Sequence, residues 1–390
     1  MTRTLKVVDA GRPDEVFAAL REALTGVGPA VVPRGDVARG DIGRTAGGRD
    51  EHDSVAQNVA LVIETSGSTG VPKRVALSTD ALLASAAASA GAMGGQGQWV
   101  LALAAHYVAG AQVLVRSLAA ETEPVYYGSG HFDAERFAAA AGELVHDLRY
   151  TSLVPVQLSR LVEGAEGGSR AVAEALRRFD GILIGGQAVP AELRERAEAL
   201  GARVIATYGS SETAGGCVYD GMPIGTTVVR ESDGLLEIAG PTLAEGYLGD
   251  PERTAAAFHE DAGTRWYRTG DLGRVSADGR ITVLGRSDNV IISGGEKVLL
   301  DAVERTVQRL PGFGQAVVVG ADDERWGQVP VVVTEGEPRL SLEGVREAVA
   351  DELGRAAAPA RVLQVGRLPR LASGKPDRVA LGALVRERGA

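Results

Sequence analysis

The sequence has 390 residues, which is more than one ordinary hydrophobic core accommodates and predicts two or three domains. Hydrophobic residues make up 45% and charged residues 24% of the chain, a balance that excludes a globally disordered protein. The formal net charge of -10 argues against nucleic acid or an anionic membrane surface as the main partner.

The cysteine content and the apolar segments indicate the compartment. Cys217 is the single cysteine, which excludes a disulfide framework and a cysteine-rich zinc site and fits a reducing compartment. The first residues lack the apolar run of a signal peptide. The most apolar stretch, 99–118, is interrupted by His106, Gln112 and Arg116, so it predicts a buried strand and helix rather than a membrane span. We therefore expect a soluble, cytoplasmic protein without integral membrane contact. The sequence leaves open whether the chain forms a homo-oligomer.

Short apolar runs alternate with helical patterns from about residue 58 onward, after a polar, glycine-rich stretch at 34–54 that predicts a surface loop. The predicted strands are 59–63, 99–103, 150–154, 181–184 and 203–206. The predicted helices are 80–93, 133–146, 169–178 and 190–200. This alternation predicts α/β units on a largely parallel sheet.

The pattern changes twice toward the C-terminus. Residues 225–284 read as short strands with turns, which predicts a small β-rich subdomain. After residue 285 the chain restarts, with predicted helices at 298–309, 341–353 and 376–387 and predicted strands at 315–320, 329–334 and 361–365. We therefore predict an α/β fold with a large domain at 1–287 and a small α+β domain at 288–390.

A glycine-rich segment just after the first of these strands is the strongest local signal. It reads Thr65, Ser66, Gly67, Ser68, Thr69, Gly70, Val71, Pro72 and Lys73. The glycines let backbone N–H groups turn toward an anion, and the hydroxyls and the lysine add donors and charge, which suits a triphosphate. The segment is not a Walker loop, because Pro72 precedes the lysine and Arg74 follows it.

Lysine is rare in this chain, in which only Lys6, Lys73, Lys297 and Lys375 occur. Because the chain uses arginine for most of its positive charge, each lysine is a candidate for a position that requires a compact ammonium. The last three all lie in glycine-rich segments, which favours a function for them.

Residues 65–73 resemble the phosphate loop of the adenylate-forming superfamily, which comprises acyl-CoA synthetases, luciferases and the adenylation domains of peptide synthetases. Further motifs follow in the family's order at 185–187, 207–213, 267–271, 285–288, 293–297 and 373–375. Together the motifs span residues 58–380, which makes the resemblance specific. It implies ATP and Mg²⁺ as ligands, a large N-terminal domain with a β-rich subdomain, and a small, mobile C-terminal domain.

The resemblance assigns the nucleotide contacts. Tyr208 is expected to lay its ring on adenine, and Gly185 and Gly186 to let the backbone approach the edge of the base. Glu212 is the expected Mg²⁺ ligand and a catalytic group, and Thr213 is the expected α-phosphate contact. The same motifs add further nucleotide-binding residues, namely Gln187, Thr207 and Gly209.

Three residues farther along the chain complete the adenylation site that the resemblance implies. Asp271 is expected to accept hydrogen bonds from the ribose hydroxyls, with Arg286 reinforcing that end of the nucleotide. Lys375 is the expected catalytic lysine, which bridges the acid's carboxylate and the α-phosphate as the acyl-adenylate forms.

The second half of the implied reaction uses the C-terminal domain. Asp288 matches the position of the family's hinge, and Gly294 and Gly295 match its route for the pantetheine of CoA. Lys297 is expected either to cap its own loop or to touch a phosphate of CoA.

Segments outside the nucleotide motifs resemble one branch of the family. His106 with Gly110, together with residues 149–157 and 211–221, resembles the short bacterial o-succinylbenzoate–CoA ligases of menaquinone synthesis. This implies 2-succinylbenzoate and CoA as substrates, with His106 orienting the acyl group or the thiol. The chain departs from the family at Arg74, where many relatives have glycine, and after the glycine pair, at Gln187 and Ala188.

Two other functions stay open at this stage. The first is the same chemistry on another aryl or acyl acid, or transfer to a carrier-protein pantetheine. The second is a nucleotide-binding module without catalysis, against which the presence of Lys73, Glu212, Asp271 and Lys375 argues.

A dicarboxylic acid needs a partner for its second carboxylate, because a bare buried carboxylate is very costly. Arg116, ten residues beyond His106, is one candidate, and hydroxyls such as Ser152 and Ser210 are others. The interpretation of Arg116 that we favour from the sequence is a surface arginine, alone or paired with Glu121 or Glu123. Cys217 is expected to be a small core or pocket residue and not a nucleophile.

Overall fold

The computed structural model describes residues 1–35, 54–65, 73–128, 130–335, 339–371 and 376–388. The chain divides into two compact units. The first unit comprises Met1–Val229, Ile238–Tyr267 and Ser276–Ile281, and the second comprises Arg230–Glu237, Arg268–Val275 and Thr282–Ala390. The domain boundary between residues 287 and 288 stays a prediction, and most of the predicted loop at 34–54 lies outside the described residues.

The described strands are β1 (Thr2–Asp9), β2 (Ala30–Arg34), β3 (Ser54–Ala56), β4 (Val59–Thr65), β5 (Lys73–Ser78), β6 (Gln98–Leu101), β7 (Val125–Tyr126), β8 (Arg149–Leu153), β9 (Gly181–Ile184), β10 (Val204–Ser210), β11 (Gly215–Tyr219), β12 (Met222–Pro223), β13 (Val228–Ser232), β14 (Leu235–Ala239), β15 (Gly246–Tyr247), β16 (Phe258–Asp261), β17 (Thr264–Val275), β18 (Ile281–Arg286), β19 (Val290–Ser293), β20 (Glu296–Leu299), β21 (Val317–Asp323), β22 (Gly327–Glu335) and β23 (Arg361–Val365). The described helices are α1 (Pro13–Leu24), α2 (Thr79–Met93), α3 (Val108–Ala119), α4 (Ala134–Gly142), α5 (Pro155–Glu166), α6 (Arg170–Arg178), α7 (Ala191–Ala199), α8 (Pro251–Ala257), α9 (Leu300–Gln308), α10 (Leu342–Leu353) and α11 (Arg378–Glu387). Single 3-10 turns lie at Ser211–Thr213, Ser287–Asn289 and Arg355–Ala357.

The first sheet of the first unit has the strand order β15-β5-β4-β2-β1-β3. β1, β2 and β4 are parallel, whereas β4 and β5 form an antiparallel pair in which Thr65 lies opposite Lys73. The glycine-rich segment 66–72 therefore connects two paired strands. A Walker loop leads from a strand into a helix instead, so the structure agrees with the distinction drawn from the sequence.

The second sheet of the first unit has the order β12-β11-β10-β9-β8-β6-β7. Its pairs from β10 to β7 are all parallel, which confirms the predicted α/β arrangement. Helices α4, α5, α6 and α7 contribute to a core in which Phe137 and Phe179 are almost fully buried. Each such side chain stabilises the fold by about 1.5–3 kcal/mol relative to an exposed one.

The carboxyl ends of the parallel strands form the edge that matters for function. Leu153, Ile184 and Ala206 are register neighbours at the ends of β8, β9 and the parallel part of β10. Ligands of open α/β sheets bind at this edge, because the loops that follow the strands converge there. Residues 185–187 follow β9 directly, and residues 207–213 follow the parallel part of β10.

Residues 225–284 form strands β13 to β18 with one short helix, α8, which confirms the predicted β-rich subdomain. Within the first unit, β16 pairs with residues 264–267 of β17. Within the second unit, Thr269 Oγ1 donates to Leu236 O at 2.8 Å, which ties residues of β17 to residues of β14.

The second unit contains a sheet of order β20-β19-β22-β21, with β23 paired to β22. Along β22, Val332 faces the core formed with α9 and α10, whereas Val331 and Val333 face the core formed with α11. This period of two is the pattern of a strand buried on both faces. The predicted α+β unit after residue 285 is thereby confirmed.

The most apolar stretch forms β6 and α3, as predicted, and none of the helices in the described ranges combines the length and apolarity that a membrane crossing requires. The sequence pattern did not predict helices α1 and α5. Both are short and begin with a proline in the first turn, so they offer only about three turns of apolar periodicity.

Candidate active site

Lys73 and Glu212 meet in the first unit although 139 positions separate them in the chain. Lys73 begins β5, and its Nζ lies 4.0 Å from Oε1 of Glu212, whose side chain is 8% exposed. The hydroxyl of Tyr247 on β15 donates to the same Oε1 at 2.8 Å, and Nζ lies 5.3 Å from the centre of the Tyr247 ring. The cluster therefore fixes one ammonium and one carboxylate beside the end of the glycine-rich segment.

Tyr247 remains a hydrogen-bond donor over a wide range of pH. Burial raises the pKa of its hydroxyl, and the charge of Glu212 and the hydrogen bond to it raise the pKa further. The pKa is raised because an ionised tyrosine would place a second negative charge beside the carboxylate.

A tight turn presents Glu212. The Glu212 N–H donates to Ser210 Oγ at 3.2 Å, and the Ser210 N–H donates to Thr213 Oγ1 at 2.9 Å. Ala214 ends the turn in the left-handed region with φ of 50°, a conformation that a residue with Cβ adopts only when its surroundings hold it there. Its carbonyl accepts from two partners, namely Ser85 Oγ at 2.9 Å and Gln112 Nε2 at 2.8 Å.

The hydroxyl of Thr213 is fully buried and donates to Gly215 O at 2.7 Å. In this geometry it orders the turn, and its predicted contact with the α-phosphate stays a prediction.

The other nucleotide motifs lie at the carboxyl edge of the second sheet. Thr207 Oγ1 donates to Ile184 O at 3.2 Å, and a Cβ at Gly185 would lie only 2.6 Å from that hydroxyl. A Cβ at Gly209 would lie 2.1 Å from Gly215 O, so glycine is required where β10 and β11 approach. These glycines allow the close packing that brings Gly185, Thr207 and Glu212 to one edge.

The remaining members of these motifs have the exposure that a ligand contact needs. Gly186 has φ of 80° and is exposed, and Gln187 and Tyr208 are half-buried. The adenine and nucleotide roles that the resemblance implies for them stay predictions.

His106 lies in the loop between β6 and α3 and is half-buried. Its ring centre lies 4.1 Å from that of Tyr107, and a Cβ at Gly35 would lie 3.3 Å from its Cε1. A Cβ at Gly110 would lie 2.3 Å from Ala104 O, which explains why the residue four positions after the histidine is glycine. His106 therefore also follows a strand of the parallel sheet.

Arg116 is buried, at 6% exposure, so the interpretation as a surface arginine was wrong. Its guanidinium lies 4.9 Å from the centre of the Trp99 ring, and Nη2 donates to the Tyr219 hydroxyl at 3.4 Å. No carboxylate of the described residues pairs with it, and its buried Nε has no hydrogen-bond partner. The sequence-based interpretation failed because a single arginine on a helix gives no sign of which neighbour covers it.

In the second unit, Arg286 connects Asp271 with Asp288. Its Nη1 lies 3.3 Å from Asp271 Oδ1, while Nε and Nη2 each lie 3.2 Å from an oxygen of Asp288. Nη1 also donates to Thr269 O at 3.0 Å. The predicted ribose-binding aspartate and the predicted hinge aspartate thus share one guanidinium.

Gly294 and Gly295 form the turn between β19 and β20, with φ of 58° and 85°. A Cβ at Gly294 would lie 2.7 Å from the ring of Trp326, and the Gly294 N–H donates to Trp326 O at 2.8 Å. Lys297 is exposed on β20. The turn requires glycine for both conformation and space, and its CoA role stays a prediction.

Several predicted residues cannot be placed. Ser66, Gly67, Ser68, Thr69, Gly70 and Lys375 lie outside the described residues. Cys217 is a core residue, as expected, and burial raises the pKa of its thiol to about 12, which leaves no thiolate for nucleophilic attack.

An open cavity of about 820 Å³ also lies in the first unit, between α2 and residues 219–227. It is lined by small side chains of α2, such as Ala84 and Ala88, and by Met222 and Pro223. Tyr219 and Asp220 of the segment 211–221 also line it, whereas none of the residues predicted to bind the nucleotide does.

Glu212 fits a magnesium ion that keeps most of its own water. Its Oε1 is occupied by Tyr247 and Lys73, whereas Oε2 accepts no hydrogen bond from the described residues. Within those residues no group of three His, Cys, Asp or Glu side chains forms a metal cage. A single carboxylate oxygen is the donor set of an ion whose other ligands are water and phosphate.

Comparison with known proteins identifies the family of the chain. The AMP-binding enzyme model matches residues 13–235, and the model of the AMP-binding enzyme C-terminal domain matches residues 302–375. The chain therefore belongs to the AMP-binding, adenylate-forming enzymes.

Individual relatives indicate which branch of this family the chain is similar to. A probable 2-succinylbenzoate--CoA ligase of Mycobacterium tuberculosis is 38% identical over 386 residues, with 97% of each chain covered. The fold matches the o-succinylbenzoate coenzyme A synthetase (MenE) of Bacillus subtilis in complex with AMP at a TM-score of 0.77, with 24% identity over 97% of this chain and 88% of that one. The complex of the Bacillus subtilis synthetase with the acyl-adenylate intermediate OSB-AMP gives a TM-score of 0.73 at 25% identity, with 94% and 80% covered.

Replacing Tyr247 with phenylalanine tests the Lys73–Glu212 cluster. The loss of the donor to Glu212 leaves the carboxylate less fixed, and we expect the Mg²⁺-dependent affinity for ATP to fall about tenfold, as for a hydrogen bond to a charged group. Isothermal titration with ATP, with and without Mg²⁺, measures the change. Tyr127→Phe is the matched control, because that buried hydroxyl is bonded only to residues near it in the chain. Equal affinities of the wild type and Tyr247→Phe would exclude this role.

Proposed function

We propose that this chain activates 2-succinylbenzoate with ATP to an acyl-adenylate and transfers the acyl group to CoA, giving 2-succinylbenzoyl-CoA for menaquinone biosynthesis. The observation that carries the reaction class is the Lys73–Glu212 pair, in which the last residue of the glycine-rich segment meets the turn after β10. The substrate assignment is supported by the near full-length match to the Mycobacterium tuberculosis ligase.

In the first half-reaction, a carboxylate oxygen of the acid attacks the α-phosphorus of ATP, and the bond to the bridging oxygen of the β-phosphate breaks. Pyrophosphate leaves, and the acyl-adenylate remains. Lys73 offsets negative charge on the phosphates, and Lys375 stabilises the charge that develops between the carboxylate and the α-phosphate. Glu212 holds Mg²⁺, which when bound neutralises phosphate charge.

In the second half-reaction, the sulfur of CoA attacks the acyl carbon, the thiol proton is lost, and the bond to the AMP oxygen breaks. His106, at the end of a strand of the parallel sheet, orients the acyl group or the thiol. The residues after Asp288 change orientation between the two half-reactions, and Gly294 and Gly295 then line the path of the pantetheine. Asp271 and Arg286 hold the ribose of the nucleotide.

The buried Arg116 supports a dicarboxylic acid as substrate. A guanidinium without a counter-ion in an apolar environment is costly, and a carboxylate of the substrate supplies the missing charge. The other group in contact with this guanidinium is the neutral ring of Trp99, which supplies no counter-charge.

An acid panel separates this function from its alternatives. The acid is identified by measuring pyrophosphate release with 2-succinylbenzoate, benzoate, salicylate and a fatty acid. The acceptor is identified by comparing acyl transfer to CoA with acyl transfer to the pantetheine of a carrier protein. ATP binding without acid-dependent AMP formation would instead indicate a nucleotide-binding module. The cytoplasmic location and a homo-oligomeric state stay predictions from the sequence.

Lys375→Ala separates the two half-reactions. Adenylate formation should fall about 100-fold or more, because the ammonium stabilises only that transition state, while thioester formation from supplied acyl-adenylate is unchanged. Single-turnover assays of each step give the two rates, with Lys6→Ala as the control lysine. An equal loss in both steps would contradict the assignment.

Asp288→Pro tests the hinge. Proline fixes φ where rotation is needed, so pyrophosphate release in a single turnover should survive while CoA-ester formation collapses. The substitution also removes the ion pair with Arg286, so Asp288→Ala is the matched control. Normal overall turnover of Asp288→Pro, or the same collapse in Asp288→Ala, removes Asp288 from the hinge role.

Arg116→Met tests the partner of the second carboxylate. We expect the KM for 2-succinylbenzoate to rise about 10- to 100-fold, as for a lost charge-assisted contact, and the KM for ATP to stay unchanged. Steady-state kinetics measure both constants. Arg136→Met is the control, since that arginine also stacks on an aromatic ring, at 4.1 Å from Tyr127. An unchanged KM for the acid leaves Arg116 with a structural role only.

A further inference from the structure

A cluster of three charged side chains joins three neighbouring strands of the first sheet. It consists of Arg34 at the end of β2, Glu64 on β4 and Arg74 on β5. Nε and Nη2 of Arg34 donate to the two carboxylate oxygens of Glu64 at 2.8 and 2.6 Å. Nε of Arg74 lies 3.6 Å from Oε1 of the same carboxylate. One carboxylate therefore connects β2, β4 and β5 beside the glycine-rich segment.

Arg74 follows Lys73 directly on β5, so the two side chains point to opposite faces of the sheet. On one face Nζ of Lys73 lies 4.0 Å from Glu212. On the other face Arg74 meets Glu64, which lies opposite it in the register of β4 and β5. Because a single peptide unit joins the two residues, a shift of Arg74 moves the start of the Lys73 side chain with it.

The main chain of Arg74 also holds the strand that carries Tyr247. The N–H of Leu248 donates to Arg74 O at 2.8 Å, and β15 pairs with β5. Tyr247, the residue before Leu248, donates its hydroxyl to Glu212. Arg74 therefore adjoins both residues that contact this carboxylate, namely Tyr247 across the strands and Lys73 along the chain.

The contact between Glu64 and Arg74 is largely shielded from water. Their side chains are 26% and 19% exposed, and Nη2 of Arg74 is buried without a hydrogen-bond partner in the described ranges. Salt screens such a pair less than a pair at the surface. Removing one partner leaves the charge of the other uncompensated in a partly buried place, so the ends of β4 and β5 would shift to expose it to water.

We propose that Glu64 and Arg74 are positioning residues for Lys73. Their ion pair, completed by Arg34, sets where the ammonium of Lys73 lies beside Glu212, and thereby how well that ammonium offsets the negative charge of ATP. This inference rests on the proposed function, in which Lys73 acts on the phosphates of ATP.

Positioning and a direct effect of charge differ in the sign of their consequences. If the cluster acted on ATP only through its charge, Arg74→Gln would weaken ATP binding, whereas Glu64→Gln would strengthen it by removing a negative charge. If the ion pair positions Lys73, both substitutions weaken ATP binding, because each breaks the same contact. Neither substitution should then matter in a chain that lacks the ammonium of Lys73.

The experiment measures the Kd for ATP in the presence of Mg²⁺ by isothermal titration. Arg74→Gln, Glu64→Gln and the double variant are each prepared in the full chain with Lys73 and with Lys73→Met. Arg196→Gln and Glu166→Gln are the matched controls, because these two residues also form a bidentate ion pair between two elements of the first unit. A thermal melt of each variant checks that it is folded.

We expect Arg74→Gln and Glu64→Gln each to raise the Kd for ATP about three- to tenfold in the chain with Lys73. The double variant should lose no more than the weaker-binding single variant, because both substitutions break one contact. In the chain with Lys73→Met all three should leave the Kd unchanged.

Three results would overturn the inference. Opposite signs for Arg74→Gln and Glu64→Gln would indicate a direct effect of charge, equal losses with and without Lys73 would indicate a structural role, and no loss would exclude any role. The comparison of signs stays valid if Lys73→Met does not bind ATP, and Glu64→Gln carries the test against Lys73→Met if Arg74→Gln does not fold. Absence of ATP binding by the wild type overturns the proposed function itself, which is a distinguishable failure.

Discussion

The carbonyl oxygen of Ala214 accepts two hydrogen bonds, from Ser85 on α2 and from Gln112 on α3, and this fixes the left-handed turn between β10 and β11. Two contacts of the first unit lie on either side of that turn. The strand before it leads to Glu212 beside Lys73, and the strand after it leads to Tyr219 beside Arg116. Because the two donors come from helices that are themselves part of the core, a change in their packing would displace both contacts together.

The Lys73–Glu212 pair and Arg116 differ in the groups that surround their charges. At Lys73 and Glu212 the opposite charges are already paired, and Tyr247, whose pKa is raised by burial and by the carboxylate, supplies a permanent donor. At Arg116 the charge has only a neutral hydroxyl and an aromatic ring beside it. In the first arrangement both charges are paired without a ligand, whereas in the second the guanidinium has no charged partner among the described residues.

In the second unit, Arg286 contacts Asp271 and Thr269 O through Nη1 and Asp288 through Nε and Nη2. The planar fork of arginine makes this sharing possible, whereas an ammonium would not span the same acceptors. This fits a chain that carries most of its positive charge on arginine and contains only four lysines. It also means that substitution of Arg286 would disturb the predicted ribose contact and the predicted hinge at once.

The sequence by itself determined the elements and motifs that depend on near neighbours. The helix at 80–93, the strand at 181–184, the α+β unit after residue 285 and the residues that approach one sheet edge were all predictable, because periodicity and glycine spacing act over a few positions. Only the tertiary structure decided that Arg116 is buried, that Tyr247 holds Glu212, and that Ser89 meets Tyr219. Those contacts join positions 35 to 130 residues apart, and no local pattern encodes which surfaces pack together. The physical reason is that burial and pairing depend on which residues lie close together in space, whereas a sequence gives only the order of the residues along the chain.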